Sequence, residues 1–167
     1  ESIRERLVLL NGWSKTYAMT GWRMGYGVWP ADLIEPAKRL SINCHSCVNA
    51  AAQWAGIAAL EGPQNDVDKM VAAFDDRRRV IVRALNKVPG FSCTEPGGAF
   101  YAFPNISRTG FNAYNLQNKL LNEAGVAVIA GTSFGACGEG YLRFSYANSI
   151  EKIECGIERI RACLSNA

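Results

Sequence analysis

A lysine and an arginine eight positions apart, Lys15 and Arg23, carry the most reactive chemistry that this chain's residue pattern offers. They lie in the stretch Asn11-Gly12-Trp13-Ser14-Lys15-Thr16-Tyr17-Ala18-Met19-Thr20-Gly21-Trp22-Arg23-Met24-Gly25-Tyr26. Residues 7–10 are a continuous apolar run closed by Asn11-Gly12, the pattern of a buried strand ending in a turn. A lysine in such a turn is expected to be partly desolvated. Desolvation disfavours an ammonium ion and leaves an amine ready for Schiff-base chemistry. Arg23 follows Gly21 and precedes the next strand, where a guanidinium can hold a phosphate through two parallel hydrogen bonds. Gly21 and Gly25 allow close backbone approach to a ligand or a neighbouring strand. The same residues also fit a plainer reading, a solvated lysine beside a turn.

A second cation stands out at Arg143. In residues 141–146, Tyr141, Arg143 and Ser145 share one face of an alternating strand, and Leu142, Phe144 and Tyr146 share the other. An arginine within an apolar strand is costly to bury unless it meets an anion. A structural salt bridge, or an edge strand with this face in water, are the alternatives. Cys44-His45-Ser46-Cys47 contains a CxxC, but zinc takes about four ligands and His45 is the single histidine, with no second CxxC. No metal site is expected, and the six cysteines read as buried free thiols.

Several elements must position these residues. Residues 24–29 read as a second strand stopped by Pro30, with Trp22, Tyr26 and Trp29 as core. Residues 31–40 and 48–60 read as helices, the latter ended by Glu61-Gly62-Pro63. Val67, Met70, Val71, Phe74, Ile81 and Leu85 share one face of a long helix over 66–87, about 30 Å at 1.5 Å per residue. Strands over 91–94 and 99–103 flank the turn Pro96-Gly97-Gly98. A helix through Leu116 and Leu120 closes at Gly125, an apolar strand covers 126–130, and a last helix carries Ile153, Ile157 and Ile160 on one stripe. Asn148 is its candidate cap, with Glu151 three residues on. The division is therefore 1–64, a linking helix 65–89, and a small α+β unit 90–167.

Composition narrows the function classes. The chain has 167 residues, 49% hydrophobic, enough for a substantial core, and its formal net charge is only +3. The one dense basic cluster, Arg77-Arg78-Arg79, follows Asp75-Asp76 and reads as a solvated helix face. Nucleic-acid binding is not expected. No apolar stretch is long enough for a membrane span, and the charged first residues are unlike a signal peptide. The expected location is cytoplasmic. The chain lacks an initiator Met and begins almost directly on a strand, so it is expected to be part of a longer protein.

The lysine segment resembles the cofactor-attachment motif of class I/II (fold-type I) aminotransferases of the aspartate aminotransferase kind. Ser14, Lys15, Ala18 through Arg23, Gly25 and Tyr26 match that motif nearly letter by letter. Tyr141-Leu142-Arg143-Phe144-Ser145-Tyr146-Ala147 is similar to the family's late strand, and Glu95-Pro96-Gly97-Gly98-Ala99-Phe100-Tyr101 to its small-domain turn and strand. The resemblance implies an α/β chain: the C-terminal part of the fold-type I large domain plus a small α+β C-terminal domain. It implies that Lys15 forms a Schiff base with pyridoxal 5'-phosphate (PLP) and shuttles a proton. Arg23 would bind the cofactor phosphate with Ser14 nearby, and Arg143 would clamp the substrate carboxylate. Residues 43–53 resemble a stretch near the cofactor of the neighbouring subunit, making His45 and Ser46 candidate contacts. The implied reaction moves an amino group from an L-amino acid to a 2-oxo acid in a homodimer. A PLP-dependent lyase of the same fold and a non-catalytic aminotransferase-like effector domain are the alternatives. Trp13 departs from the motif, which has a smaller apolar residue or Tyr there. The family's phosphate-cradling loop, its ring-stacking aromatic and its Asp for the ring nitrogen have no counterpart in this chain, so the chain alone is expected to be inactive.

Overall fold

In the computed structural model, residues 3–165 are described. The chain divides into two compact units, Glu1–Lys69 and Met70–Ala167.

In the first unit, β1 (Leu9–Gly12) pairs antiparallel with β2 (Gly25–Val28), with Leu9 opposite Val28 and Gly12 opposite Gly25. Two helices follow, α1 (Ala31–His45) and α2 (Ala50–Glu61). Asn49 starts α2, its Oδ1 accepting from the Ala52 amide at 3.0 Å, and the Gly62 amide closes it on the Ala58 carbonyl. Met19, Met24 and Ala52 are buried together, with Trp13, Tyr17, Ala55 and Ala59 packed against them.

This packing corrects three expectations. The run before Lys15 is a strand but not a buried one: Leu9 is 45% and Leu10 72% exposed. A two-stranded ribbon offers a strand no third neighbour, and this unit's core forms against α2 instead. Trp22, Tyr26 and Trp29 are exposed for the same reason rather than forming core. Helix α1 runs five residues past the expected 40, because nothing breaks the chain until Ser46 (φ 66°), whose amide closes on the Ile42 carbonyl.

Helix α3 (Asn65–Leu85) contains the division between units. Beyond it, the second unit holds a three-stranded antiparallel sheet, β3 (Tyr101–Ala102), β4 (Ile129–Ala130) and β5 (Leu142–Ser145), in the order β3-β5-β4. Helices α4 (Ala113–Ala124) and α5 (Ile150–Ser165) complete it. Ile81 and Leu85 of α3, Leu116 and Leu120 of α4, and Ile153, Ile157 and Ile160 of α5 bury themselves with Leu142, Phe144 and Tyr146. The alternation along β5 is as expected: Leu142 and Phe144 are buried, Arg143 is half-buried and Ser145 is exposed. Gly125 ends α4 in a left-handed conformation (φ 63°), which glycine adopts without penalty.

Five local expectations change here. Residues 91–94 make a single bridge, Ser92 to Asn105, because the Asn86 side chain takes both the Cys93 amide and the Cys93 carbonyl. Within 126–130 only Ile129 and Ala130 pair with β5. The cap of α5 is Ser149, not Asn148: Ser149 Oγ accepts from the Lys152 amide at 3.3 Å, while Asn148 Oδ1 takes the Ser149 amide. The basic cluster is not a uniformly solvated face. Arg78 is half-buried, bonded to Asp75 at 2.5 Å and also to Glu95, and Arg77 lies 5.1 Å from the Phe74 ring centroid. The bond from Arg78 holds the Asp75 carboxyl below its usual range. The cysteines also differ from expectation: Cys93 is buried, Cys163 half-buried, and Cys44, Cys47, Cys137 and Cys155 are exposed.

Candidate active site

The turn that carries Lys15 is fastened to α2 by its flanks. Trp13 Nε1 donates to the Gly56 carbonyl at 3.1 Å, and its ring meets Tyr26 edge-on at 5.1 Å. A Cβ on Gly56 would come within 3.2 Å of the Trp13 ring, so the glycine allows this contact. Tyr17 OH reaches Gln64 Oε1 at 3.3 Å, and the Gln64 amide group in turn donates to the Ala59 and Gly62 carbonyls at the end of α2. Met19 and Met24 are buried beside Ala52. Residues 13, 17, 19 and 24 thus face the helix, while Lys15, Thr16, Thr20, Gly21 and Arg23 are exposed. The expected desolvation of Lys15 is therefore not provided by the described residues.

Ser14, the residue before Lys15, and Arg23 are linked through Thr20. Thr20 Oγ1 donates to the Ser14 carbonyl at 3.0 Å, and Arg23 Nη1 donates to the Thr20 carbonyl at 3.0 Å. Between them lies a short 3-10 helix, Thr20–Trp22. Two residues of this loop, Ala18 (φ 53°) and Arg23 (φ 54°), hold left-handed backbone conformations unusual for residues with a Cβ. An open cleft lies beside the loop, lined by Gly21, Trp22 and Arg23 on one side and by His45, Ser46 and Asn49 on the other. Ser14 and Lys15 are not among its lining residues. A Cβ on Gly21 would meet nothing within 4 Å, so this glycine is not required by the chain's own packing.

In the second unit, Arg143 stands on the sheet face opposite the core. Its Cζ lies 4.4 Å from the Tyr101 ring centroid and 4.3 Å from that of Phe134. Phe103 adds an edge contact to Phe134 at 6.4 Å and stacks on Tyr141 at 5.4 Å. Among the described residues Arg143 makes no ion pair and no side-chain hydrogen bond. Its guanidinium is held by aromatic rings, and its N–H donors are left for something else.

The sequence pattern of the family "aminotransferase class I and II" matches residues 1–160. The chain belongs to this family. It is 43% identical over 162 residues to an aspartate aminotransferase of Pyrococcus horikoshii, covering 96% of this chain and 41% of that protein. It is 40% identical over 162 residues to a putative aminotransferase of Bacillus subtilis, covering 97% of this chain and 42% of that one. Among solved structures, an aromatic aminotransferase from Pyrococcus horikoshii superposes with a TM-score of 0.95 at 38% identity, covering 99% of this chain and 45% of that one. The chain thus spans less than half the length of the aminotransferases it matches. The fold is that of fold-type I.

Class I and II aminotransferases are generally PLP-dependent. The residues present fit that cofactor: an exposed primary amine at Lys15, a guanidinium on the same loop at Arg23, and a bare glycine with open space at Gly21. Three participants in this geometry had no functional part in the sequence reading. Thr20 stood in the quoted motif without a task. Tyr101 lies in the segment that resembles the family's small-domain turn and strand, Phe134 lies in the loop before the Arg143 strand, and only the folded sheet brings both rings to Arg143. Among the described residues, no three His, Cys, Asp or Glu side chains gather as a metal site, and no helix is long and apolar enough to cross a membrane.

Proposed function

We propose that the protein containing this chain is an aminotransferase that moves the amino group of an L-amino acid to a 2-oxo acid, working as a cytoplasmic homodimer. Lys15 is its Schiff-base lysine, Arg23 and Ser14 bind the phosphate of pyridoxal phosphate, and Arg143 holds the substrate carboxylate. The observation that carries this reading is the pair Lys15 and Arg23 on one loop, fixed by Thr20, in a chain of this family.

Pyridoxal phosphate, when bound, supplies an aldehyde that condenses with amines and a ring that accepts electrons from the substrate Cα. The chain's own residues do the rest. Lys15 Nζ would hold the cofactor covalently at rest and, once displaced by the substrate's amino group, would take the proton from the substrate Cα and hold it for return. An arginine has five N–H donors. One from Arg23 goes to the Thr20 carbonyl, and the others remain for phosphate oxygens. Arg143 offers a planar fork matching a carboxylate, which fixes the orientation of the Cα–H bond.

The test is reduction with borohydride in the presence of pyridoxal phosphate, followed by mass-spectrometric mapping of the full-length protein. A phosphopyridoxyl adduct confined to Lys15, and diminished by Arg23→Ala, is the expected result. Adducts scattered over many lysines, or one unaffected by Arg23→Ala, would remove the assignment.

A further inference from the structure

We propose that Tyr101 and Phe134 are positioning residues that hold the Arg143 guanidinium plane ready for a carboxylate. The inference rests on the reading of Arg143 as the carboxylate-binding residue and deepens it. The geometry is specific. In the β3–β5 register Tyr101 faces Ser145, two positions from Arg143, so its ring reaches the guanidinium along the diagonal of the sheet. Phe134 arrives from the other side of the sequence. It ends the 3-10 helix Gly131–Phe134, directly after β4.

The loop that delivers Phe134 is folded by two glycines. The Gly131 amide bonds to the Tyr141 carbonyl at 2.9 Å, and a Cβ on Gly131 would sit 2.2 Å from the Gly138 carbonyl oxygen. A Cβ on Gly138 would be 2.0 Å from the Gly131 oxygen. Only with both positions bare can the loop close this tightly and return Phe134 over the sheet. Phe134 itself is 54% exposed, so burying its ring is not what this loop achieves. The Arg143 guanidinium lies over this ring, and Phe103 adds an edge contact.

The physical consequence concerns the state before substrate arrives. A half-buried arginine with no hydrogen-bonded partner would ordinarily sample several rotamers, and binding would have to order it. Two ring faces attract the cation through their quadrupoles and restrict that motion. The rings compete for none of the in-plane N–H donors, which a carboxylate needs. Aromatic contact is therefore compatible with anion binding in a way that an Asp or Glu partner would not be.

The experiment compares Phe134→Leu, Phe134→Tyr and Arg143→Ala in the full-length holoenzyme. KM for the amino acid and the 2-oxo acid is measured, along with the 15N-resolved Arg143 Nε–H resonance during titration with a 2-oxo acid. Phe134→Leu should raise KM about five- to tenfold with kcat changed by less than about twofold, because a cation–ring contact is lost while apolar volume is kept. Phe134→Tyr should restore KM, and the Nε–H signal should broaden in the Leu variant alone. A Leu variant with unchanged KM, or a Tyr variant as impaired as Leu, would overturn the proposal. If Arg143→Ala itself leaves KM unchanged, the carboxylate-binding reading fails first. If Arg143→Ala raises KM and Phe134→Leu does not, only the positioning role fails.

Discussion

Arg143 and Lys15 stand on supports of different kinds. Beneath Arg143, the sheet's other face is closed by three helices, and Leu142, Phe144 and Tyr146 are buried among α3, α4 and α5. Beneath Lys15, the buried support is Met19, Met24 and Ala52, with the ribbon β1–β2 exposed alongside. The second unit therefore contains what is needed to fix Arg143, the proposed carboxylate-binding arginine, to within the tolerance of packed side chains. The first unit fixes its loop chiefly by discrete hydrogen bonds and the edge contact of Trp13 with Tyr26. A site can thus be prepared in two ways: by a core that leaves no alternative packing, or by a few directional links on a lightly buried base.

The largest expected effect tests the core side of this contrast. Leu142→Ala should destabilise the chain by about 2–5 kcal/mol, the usual loss for a fully buried leucine. Leu10→Ala, in the exposed ribbon, should change stability by less than about 0.5 kcal/mol. Urea unfolding of both variants makes the comparison, and equal losses would mean that β1 is covered in solution. The next effect is smaller and concerns the directional links. Trp13→Phe keeps most of the ring but leaves the Gly56 carbonyl without its donor, an expected loss of about 1 kcal/mol. Protease susceptibility near Lys15 should rise with it, and an unchanged digestion pattern would show that the Trp13–Gly56 bond is not what holds the loop. The smallest effect concerns surface charge in the second unit. Arg78 depresses the Asp75 carboxyl, so this pair adds stability above the carboxyl's unfolded value and loses it as pH falls through the folded one. Asp75→Asn should therefore flatten the decline of melting temperature below about pH 4. A decline identical to that of the unmodified chain would assign acid sensitivity elsewhere.

Much of the second unit was readable in advance because its periodicities are undisturbed. Leu116 with Leu120, and Ile153, Ile157 and Ile160, mark α4 and α5 by helical spacing, and Leu142 to Tyr146 alternates as the folded strand does. What was not readable is pairing that depends on side chains taking backbone partners. Asn86 captures both polar groups of Cys93, which no local pattern announces, and so a predicted strand shrinks to one bridge. Apolar runs misled in the first unit. Leu9 and Leu10 look like core, but burial depends on what else packs there, and a sequence window holds no information about that. The site divides similarly. Lys15, Arg23 and Arg143 could be named from motif and residue type. Tyr101 and Phe134 lie 42 and 9 positions from Arg143 and become its neighbours only through sheet register and the Gly131–Gly138 contact.

Arg23 occupies a left-handed backbone position, where a glycine or asparagine would sit more comfortably. This sets thermal robustness and chemistry against each other at a single codon. A library of variants selected only for survival at high temperature should drift toward Arg23→Gly, relieving on the order of 1 kcal/mol of backbone strain. Such a population would be better folded and, on the role proposed for Arg23, poorer at retaining a phosphate. Engineering this loop for durability is safer at Ala18, which has the same backbone constraint without the guanidinium.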